Sequence, residues 1–300
     1  MFMKVTVGDD GLDGGADALA LARAIAPDAE LILASAYPWD AMSSRFAQLG
    51  YGTILRDDAE KALRKRRDEA GLPKARIVAI ADTSPARALH HLAEAEHADL
   101  LVTGTSRHSR IGRMLLGDVS RDVLHGSPCP VAVAPHGFTA GGPATIGVAY
   151  DHSPEADKAL AVALDTASAL GARIKVREVV AADMLVGLGG YPIVGIDEMV
   201  MDMVADAEDR LQARVQALDT DVAIDVDAVS GGTNDRLEEL AEEVDLLVCG
   251  SRGWGSVMRV VLGSTAHHLI HHADCPVLVV PRTADTDKGD APAQTSTVTA

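Results

Sequence analysis

Three hundred residues, 47% apolar and 3% aromatic, are enough for roughly two domains of about 150 residues, each with an aliphatic core. A formal charge of −17 argues against nucleic acid or an anionic membrane surface as partner, because both need Lys/Arg patches to meet phosphate. Three cysteines make no disulfide framework. With no basic segment leading into an apolar run and no apolar stretch near ~18 residues, the expected location is cytoplasmic, with no membrane span.

Short apolar runs alternate with longer amphipathic ones. In chain order the first half predicts a strand near 3–8, a helix over 13–26, a strand at 30–36, a helix over 55–70, a strand at 75–81, a helix over 84–97, a strand at 99–104, a helix over 117–126 and a strand at 130–134. Gly137 to Pro143 reads as a linker. The second half predicts a strand at 144–150, a helix over 153–170, a strand at 172–180, a helix over 197–219, a strand at 222–229, a helix over 232–243, a strand at 245–250, a helix over 263–273 and a strand at 276–280. The stretch 181–196, with four glycines among apolar residues, reads as a surface loop or flap, with a substrate lid as the alternative. Residues 284–300 read as a disordered tail. The domains are therefore expected at 1–137 and 144–283. Strand–helix alternation predicts an α/β fold with a parallel sheet covered on both faces. Its binding sites lie beyond the C-terminal ends of the strands.

The chain also repeats itself. Asp99-Leu100-Leu101-Val102-Thr103-Gly104 recurs as Asp245-Leu246-Leu247-Val248-Cys249-Gly250, and Ser127-Pro128-Cys129-Pro130-Val131-Ala132-Val133 as Ala273-Asp274-Cys275-Pro276-Val277-Leu278-Val279, both at an offset of 146 residues. This supports two domains independently of length. Cys129 and Cys275 are equivalent positions before an apolar strand, expected as buried small hydrophobes. Between the matches lies a glycine loop. In the second copy it reads Gly250-Ser251-Arg252-Gly253, nine residues, then Gly263-Ser264; in the first, Gly104-Thr105-Ser106-Arg107, nine residues, then Gly117-Asp118. Glycines let backbone approach a ligand closely. A helix start offers unpaired N–H groups and the positive end of the helix dipole. Ser264 and Thr265 add hydroxyls, completing a cradle for phosphate. Taken as an isolated pattern, the competing reading is favoured: Gly250 and Gly253 merely turn the chain and Ser264 caps the helix.

Residues 250–264 match the motif G-2x-G-9x-G-[S/T] at every specified position, and Ile146-Gly147-Val148-Ala149-Tyr150-Asp151 and the Cys-Pro-Val-Leu-Val-Val-Pro run at 275–281 belong to the same pattern. On these residues the chain resembles the universal stress protein family, as a tandem two-domain member, over almost all of both halves. The resemblance implies two doubly wound, adenine nucleotide alpha hydrolase-like domains, each with a five-stranded parallel sheet. It also implies ATP binding, with Mg2+ accompanying the phosphates. Asp151 matches the family's nucleotide-contacting aspartate, accepting from ribose hydroxyls or the adenine amino group, with Ala149 and Tyr150 beside it. Val179 matches the residue whose backbone faces adenine. Gly250, Arg252, Gly253, Gly263, Ser264 and Thr265 would hold phosphates and ribose, although Arg252 reads equally well as a solvated side chain. Family members commonly pair through the last strand. Val131–Ala134 and Val277–Val280 are therefore expected to pair antiparallel as an internal pseudo-dimer, and two chains to pair further as a homodimer. The implied function is a cytoplasmic stress-response protein that binds ATP in its C-terminal domain as a regulatory or sensing ligand. The alternatives are a non-nucleotide scaffold for protein partners, and a slow ATPase or self-phosphorylating protein with Ser264 or Thr265 as acceptor.

The first copy departs from the motif at two positions. Arg107 has a Cβ where glycine gave close approach, and Asp118 puts a carboxylate where phosphate would sit. Two unit charges about 4 Å apart repel by about 4 kcal/mol at an effective dielectric near 20. Asp118 is also a good helix cap, and Asp10 still matches Asp151, so poor or no ATP binding is expected there. Arg107, His108, Arg110 and Arg113 form a basic cluster, expected to pair with the acidic surface. Ser230-Gly231-Gly232-Thr233-Asn234-Asp235 is glycine-rich but follows the third strand, so a helix-capping turn is expected. His267, His268, His271 and His272 form two i, i+4 pairs, a geometry that can bind zinc. With no carboxylate-bearing helical metalloprotease motif beside them, a surface or interface histidine cluster is the expected role. No Gly-x-Ser-x-Gly elbow is present, so no catalytic residue is assigned.

Overall fold

The computed structural model describes residues 1–39, 51–105, 118–139, 141–181, 195–251 and 263–281. The first half contributes β1 (Lys4–Gly8), α1 (Asp13–Ile25), β2 (Glu30–Tyr37), α2 (Tyr51–Glu69), β3 (Arg76–Ala81), α3 (Pro85–Glu96), β4 (Leu100–Gly104), α4 (Asp118–Leu124) and β5 (Val131–Ala134). The second contributes β6 (Thr145–Tyr150), α5 (Pro154–Leu170), β7 (Arg173–Val180), α6 (Ile196–Gln216), β8 (Ile224–Ser230), α7 (Thr233–Glu243), β9 (Leu246–Gly250), α8 (Ser264–His272) and β10 (Val277–Val280). Each strand and helix expected from the alternation is present.

The strands form one sheet in the order β3-β2-β1-β4-β5-β10-β9-β6-β7-β8. Each half is a five-stranded parallel sheet, as expected. The halves join where Val131–Ala134 meets Val277–Val280 antiparallel, with Leu278 opposite Ala132. Both joining strands are buried at every residue, which is why they read as unbroken apolar runs and not as alternating ones. One core, containing Leu21, Leu63, Leu160 and Leu211, lies under α1, α2, α5 and α6. The other, containing Leu89, Leu124, Leu240 and Leu269, lies under α3, α4, α7 and α8 on the opposite face. Cys129 and Cys275 are buried free thiols in that second core. No helix among the described residues is long and apolar enough to cross a membrane.

Local chemistry fixes the helix ends. Ser153 caps α5 by accepting the Ala156 N–H at 3.1 Å, Pro154 follows, and Gly171 closes the helix at φ 68, a left-handed position that suits glycine. Two boundaries differ from the sequence expectation by three residues or more. Helix α2 already includes Tyr51, the first described residue after 39, and Trp39 packs on this turn: a Cβ on Gly52 would lie 2.7 Å from the indole. Helix α6 stops at Gln216, and the Thr220 hydroxyl accepts the Val222 N–H at 3.2 Å, a local bond that competes with helix. Arg107, His108, Arg110, Arg113, Arg252, Gly253, most of the 181–196 loop and the 284–300 tail lie outside the described residues.

Candidate functional site

In each half the strand order reverses between the first and fourth strands, β1/β4 and β6/β9. A crevice opens there at the strand C-termini. In the second half it is a cavity of about 430 Å3. Ala149, Tyr150, Asp151, Val179, Gly250, Gly263 and Thr265 line it. Ser264 is the first residue of α8 and is exposed.

One wall is the turn from β6 into α5. Asp151 accepts the Ser153 N–H at 3.1 Å, which fixes the carboxylate at the cavity rim. The Tyr150 hydroxyl donates to Asp157 at 2.6 Å, and Arg214 donates to the same carboxylate oxygen at 3.1 Å. Burial, with the Asp157 bond, pushes the Tyr150 hydroxyl up to about 12. Burial alone would raise Asp157, but the Tyr150 and Arg214 hydrogen bonds outweigh it and hold the carboxyl below its ordinary value. Tyr150 is thus a locked neutral wall. His152 sits at φ 59, edge-on to Tyr150 and 2.8 Å from Glu178.

The opposite wall is the end of β9 and the start of α8. A Cβ on Gly250 would lie 2.9 Å from the backbone of Glu155, so glycine here permits β9 to abut α5. Ser251 follows in the cavity wall, 1% exposed, its buried hydroxyl without a hydrogen-bond partner among the described residues. Gly263 precedes α8 in extended conformation, so the N-cap position offers no side-chain acceptor to the first N–H groups of α8. The cavity therefore has an acceptor side, Asp151 and Glu155, and a donor side, Ser251 and the start of α8.

Arg177 forms part of the lining and is 5% exposed. It grips Asp227 with two bonds of 2.9 and 2.7 Å and reaches Glu243 at 3.2 Å. The Asp227 bonds raise Arg177 against the effect of burial. The pair holds Asp227 below its ordinary value although burial alone would raise it. Its charge is already matched, so Arg177 stiffens the wall. Burial lifts the Cys249 thiol to about 12, which makes it a poor nucleophile.

Sequence reasoning missed Ser251 and Arg177. Ser251 had a signal: its repeat mate at the 146-residue offset, Thr105, is also a hydroxyl residue directly after the strand-end glycine. A charged residue inside a predicted strand was the signal for Arg177.

The first half has a cavity of about 370 Å3 in the equivalent place. Asp10 accepts the Leu12 N–H at 2.9 Å, as Asp151 accepts that of Ser153. At the position of Tyr150 stands Asp9, buried and paired with Arg66 at 2.8 Å. The Ser120 hydroxyl ties α4 to the Gly104 carbonyl at 2.8 Å, whereas its repeat mate Ala266 carries no hydroxyl. Asp118 begins α4, as the sequence suggested; its side chain lies outside the described residues.

Sheet order and cavities define a tandem doubly wound α/β protein with a ligand-sized crevice at each switch point. The chain belongs to the universal stress protein family, whose family model matches residues 1–135 and 144–281. It is similar to a universal stress protein of Mycobacterium tuberculosis, 31% identical over 189 residues, and the match spans 61% of each chain. A second M. tuberculosis universal stress protein is 31% identical over 242 residues, 77% of each chain. The crystal structure of a universal stress protein from Archaeoglobus fulgidus superposes with a TM-score of 0.65 at 21% identity, covering 93% of this chain and 98% of that one.

Proposed function

We propose that the second half binds ATP as a regulatory or sensing ligand of a cytoplasmic stress-response protein. The observation that carries this reading is Ser251. A buried hydroxyl without a partner costs about 1–3 kcal/mol, and this one lines a cavity that also contains the uncapped start of α8. Such a helix start favours anions. On the far wall, the Asp151 carboxylate suits ribose hydroxyls or the adenine amino group. Tyr150, Ala149 and Val179 give that wall its apolar surface. Gly250, Gly263, Ser264 and Thr265 are the phosphate side of the reading, with Arg252 and Gly253 completing it from outside the described residues. Magnesium would be held chiefly by phosphate oxygens and water, with Asp151 at the cavity rim beside its water shell. ATP here acts by occupancy and not by turnover: the Ser153 hydroxyl, which donates to Asp151 in the cavity wall, is committed to capping α5 through the Ala156 N–H.

The scaffold reading has one observation of its own. Met199, Met201 and Met203 stand exposed on α6, and methionine suits adaptable protein contacts.

The test is to purify the protein without added nucleotide, denature it and count what is released. About one ATP per chain, or saturable binding of that stoichiometry on titration, fits a single working site. About two would overturn the asymmetry between halves. None by either method would replace nucleotide binding with the scaffold. Gly263→Asp should abolish binding, and unchanged affinity would sink the site assignment.

A further inference from the structure

The histidines of α8 were read from sequence as a surface cluster. The structure adds a carboxylate that the sequence did not connect to them. Helix α7 packs beside α8 and brings Glu238 against His268, whose Nε2 is hydrogen-bonded to Glu238 Oε1. One turn on, His272 stacks on His268 with ring centroids 4.1 Å apart. Ligand atoms of Glu238, His268 and His272 lie within 4.8 Å of one another, the only such group among the described residues.

We propose that Glu238, His268 and His272 form a binding site for a borderline divalent cation, zinc, separate from the nucleotide cavity. The tautomer of His272 is already set for it. Its Nδ1 lies 2.9 Å from the His268 carbonyl. A carbonyl only accepts, so Nδ1 carries the proton and the Nε2 lone pair is free. Metal-ligating histidines are held in this way, by donation from the other ring nitrogen. His268 presents Nε2 to Glu238, and a cation replaces the proton between them. Zinc takes nitrogen at about 2.0–2.1 Å and oxygen at about 2.0–2.2 Å, which places ligand atoms about 3.4 Å apart. His272 is exposed and Glu238 and His268 are half-buried, so rotations of about 1 Å, chiefly at His272, bring the ligand atoms to that spacing. Two imidazoles and a carboxylate leave a fourth position for water, the donor set of an open zinc site.

The surroundings favour a cation. His268 and His272 occupy the C-terminal part of α8 (Ser264–His272), the negative end of the helix dipole. Helix α7 carries Asp235, Glu238, Glu239 and Glu242 against one arginine, Arg236, which is bound to Glu239 at 2.8 Å; its fifth carboxylate, Glu243, is matched by Lys175 and Arg177. The second pair, His267 and His271, has ring centroids 4.3 Å apart but belongs to no three-ligand group among the described residues. It serves as an internal control.

The test is calorimetric titration of the chelator-treated full chain with zinc alone, in parallel with His272→Gln, Glu238→Gln and His271→Gln. One zinc per chain is expected, weakened at least about tenfold by His272→Gln and by Glu238→Gln and unchanged by His271→Gln. Circular dichroism of the variants separates lost ligation from lost folding, and cobalt(II) absorption reports the ligand set directly. No saturable zinc binding by the wild-type chain overturns the proposal. So does equal affinity in the folded His272→Gln and Glu238→Gln variants, or loss of binding in His271→Gln alone.

Discussion

Replacing Ser251 with alanine should move stability and ligand affinity in opposite directions. Ser251 Oγ is buried and has no partner among the described residues, while the Ser251 N–H bonds the Val280 carbonyl at 2.9 Å. Alanine keeps the backbone bond and removes only the hydroxyl. The ligand-free protein then no longer bears an unsatisfied buried group, a change of about 1 kcal/mol in favour of folding. For a domain near 150 residues that is about 2–4 °C in Tm. With nucleotide, the same variant loses a hydrogen bond to a charged acceptor, about 1.5–3 kcal/mol, or roughly ten- to a hundredfold in Kd. Calorimetric melting without ligand and isothermal titration with ATP measure the two halves of the prediction. Thr105→Val in the first half is the companion, expected to raise Tm and leave ATP affinity unchanged. A lowered Tm in the ligand-free Ser251→Ala chain, or an unchanged ATP Kd, would refute the reasoning. The first would mean that the hydroxyl has a structural partner, the second that phosphate does not meet it.

Further outcomes test the walls of the site. A Cβ on Gly104 would lie 2.0 Å from the Gly14 carbonyl oxygen, against 2.9 Å from Glu155 for Gly250. Gly104→Ala should therefore destabilise by about 3 kcal/mol or more and Gly250→Ala by about 1–3 kcal/mol, measured by urea unfolding. The folded-state value of Asp227 lies below its unfolded one, so its contribution to stability is present above the ordinary carboxylate value and is lost as pH falls through the depressed one. Asp227→Asn should flatten the acid limb of the stability curve. Tyr150 has the opposite sign. Its folded value is raised to about 12, so its contribution holds below the ordinary tyrosine value near 10 and is lost as pH rises toward 12. Tyr150→Phe should remove that alkaline loss, followed by phenolate absorbance.

The sequence made the fold visible because parallel strands buried on both faces leave apolar runs and their helices leave amphipathic ones. The 146-residue repeat then fixed the correspondence of the halves. Ala149, Asp151, Gly250 and Gly263 were legible because they sit at strand ends and helix starts, where glycine, aspartate and small residues are the residues that fit. What stayed hidden depends on register. Arg177 meets Asp227 because β7 and β8 pair with those two residues as neighbours, and nothing in either strand's pattern states that alignment. Glu238 meets His268 through the packing of α7 on α8, where the sequence showed only the i, i+4 spacing.

The two cavities differ mainly in how far each satisfies itself. In the first half the strand end carries Asp9, neutralised by Arg66 and by the Gly11 N–H at 2.7 Å. Ser120 closes α4 onto Gly104. In the second half Tyr150 replaces Asp9 and Ala266 replaces Ser120, so the same strand end is uncharged and α8 lacks that tie. The same exchange decides electrostatics. The first half carries aspartate at 118 where the second carries Ser264, and the start of α8 has no side-chain cap. Asp10 and Asp151 make the same turn bond in both halves, so the ribose-side carboxylate alone does not distinguish them. The anion side does. A chain carrying Asp118→Ser and Arg107→Gly should therefore gain a second ATP per chain if charge and close approach at the helix start govern binding. If stoichiometry stays at one, the buried Asp9–Arg66 pair, and not the motif, is what separates the halves.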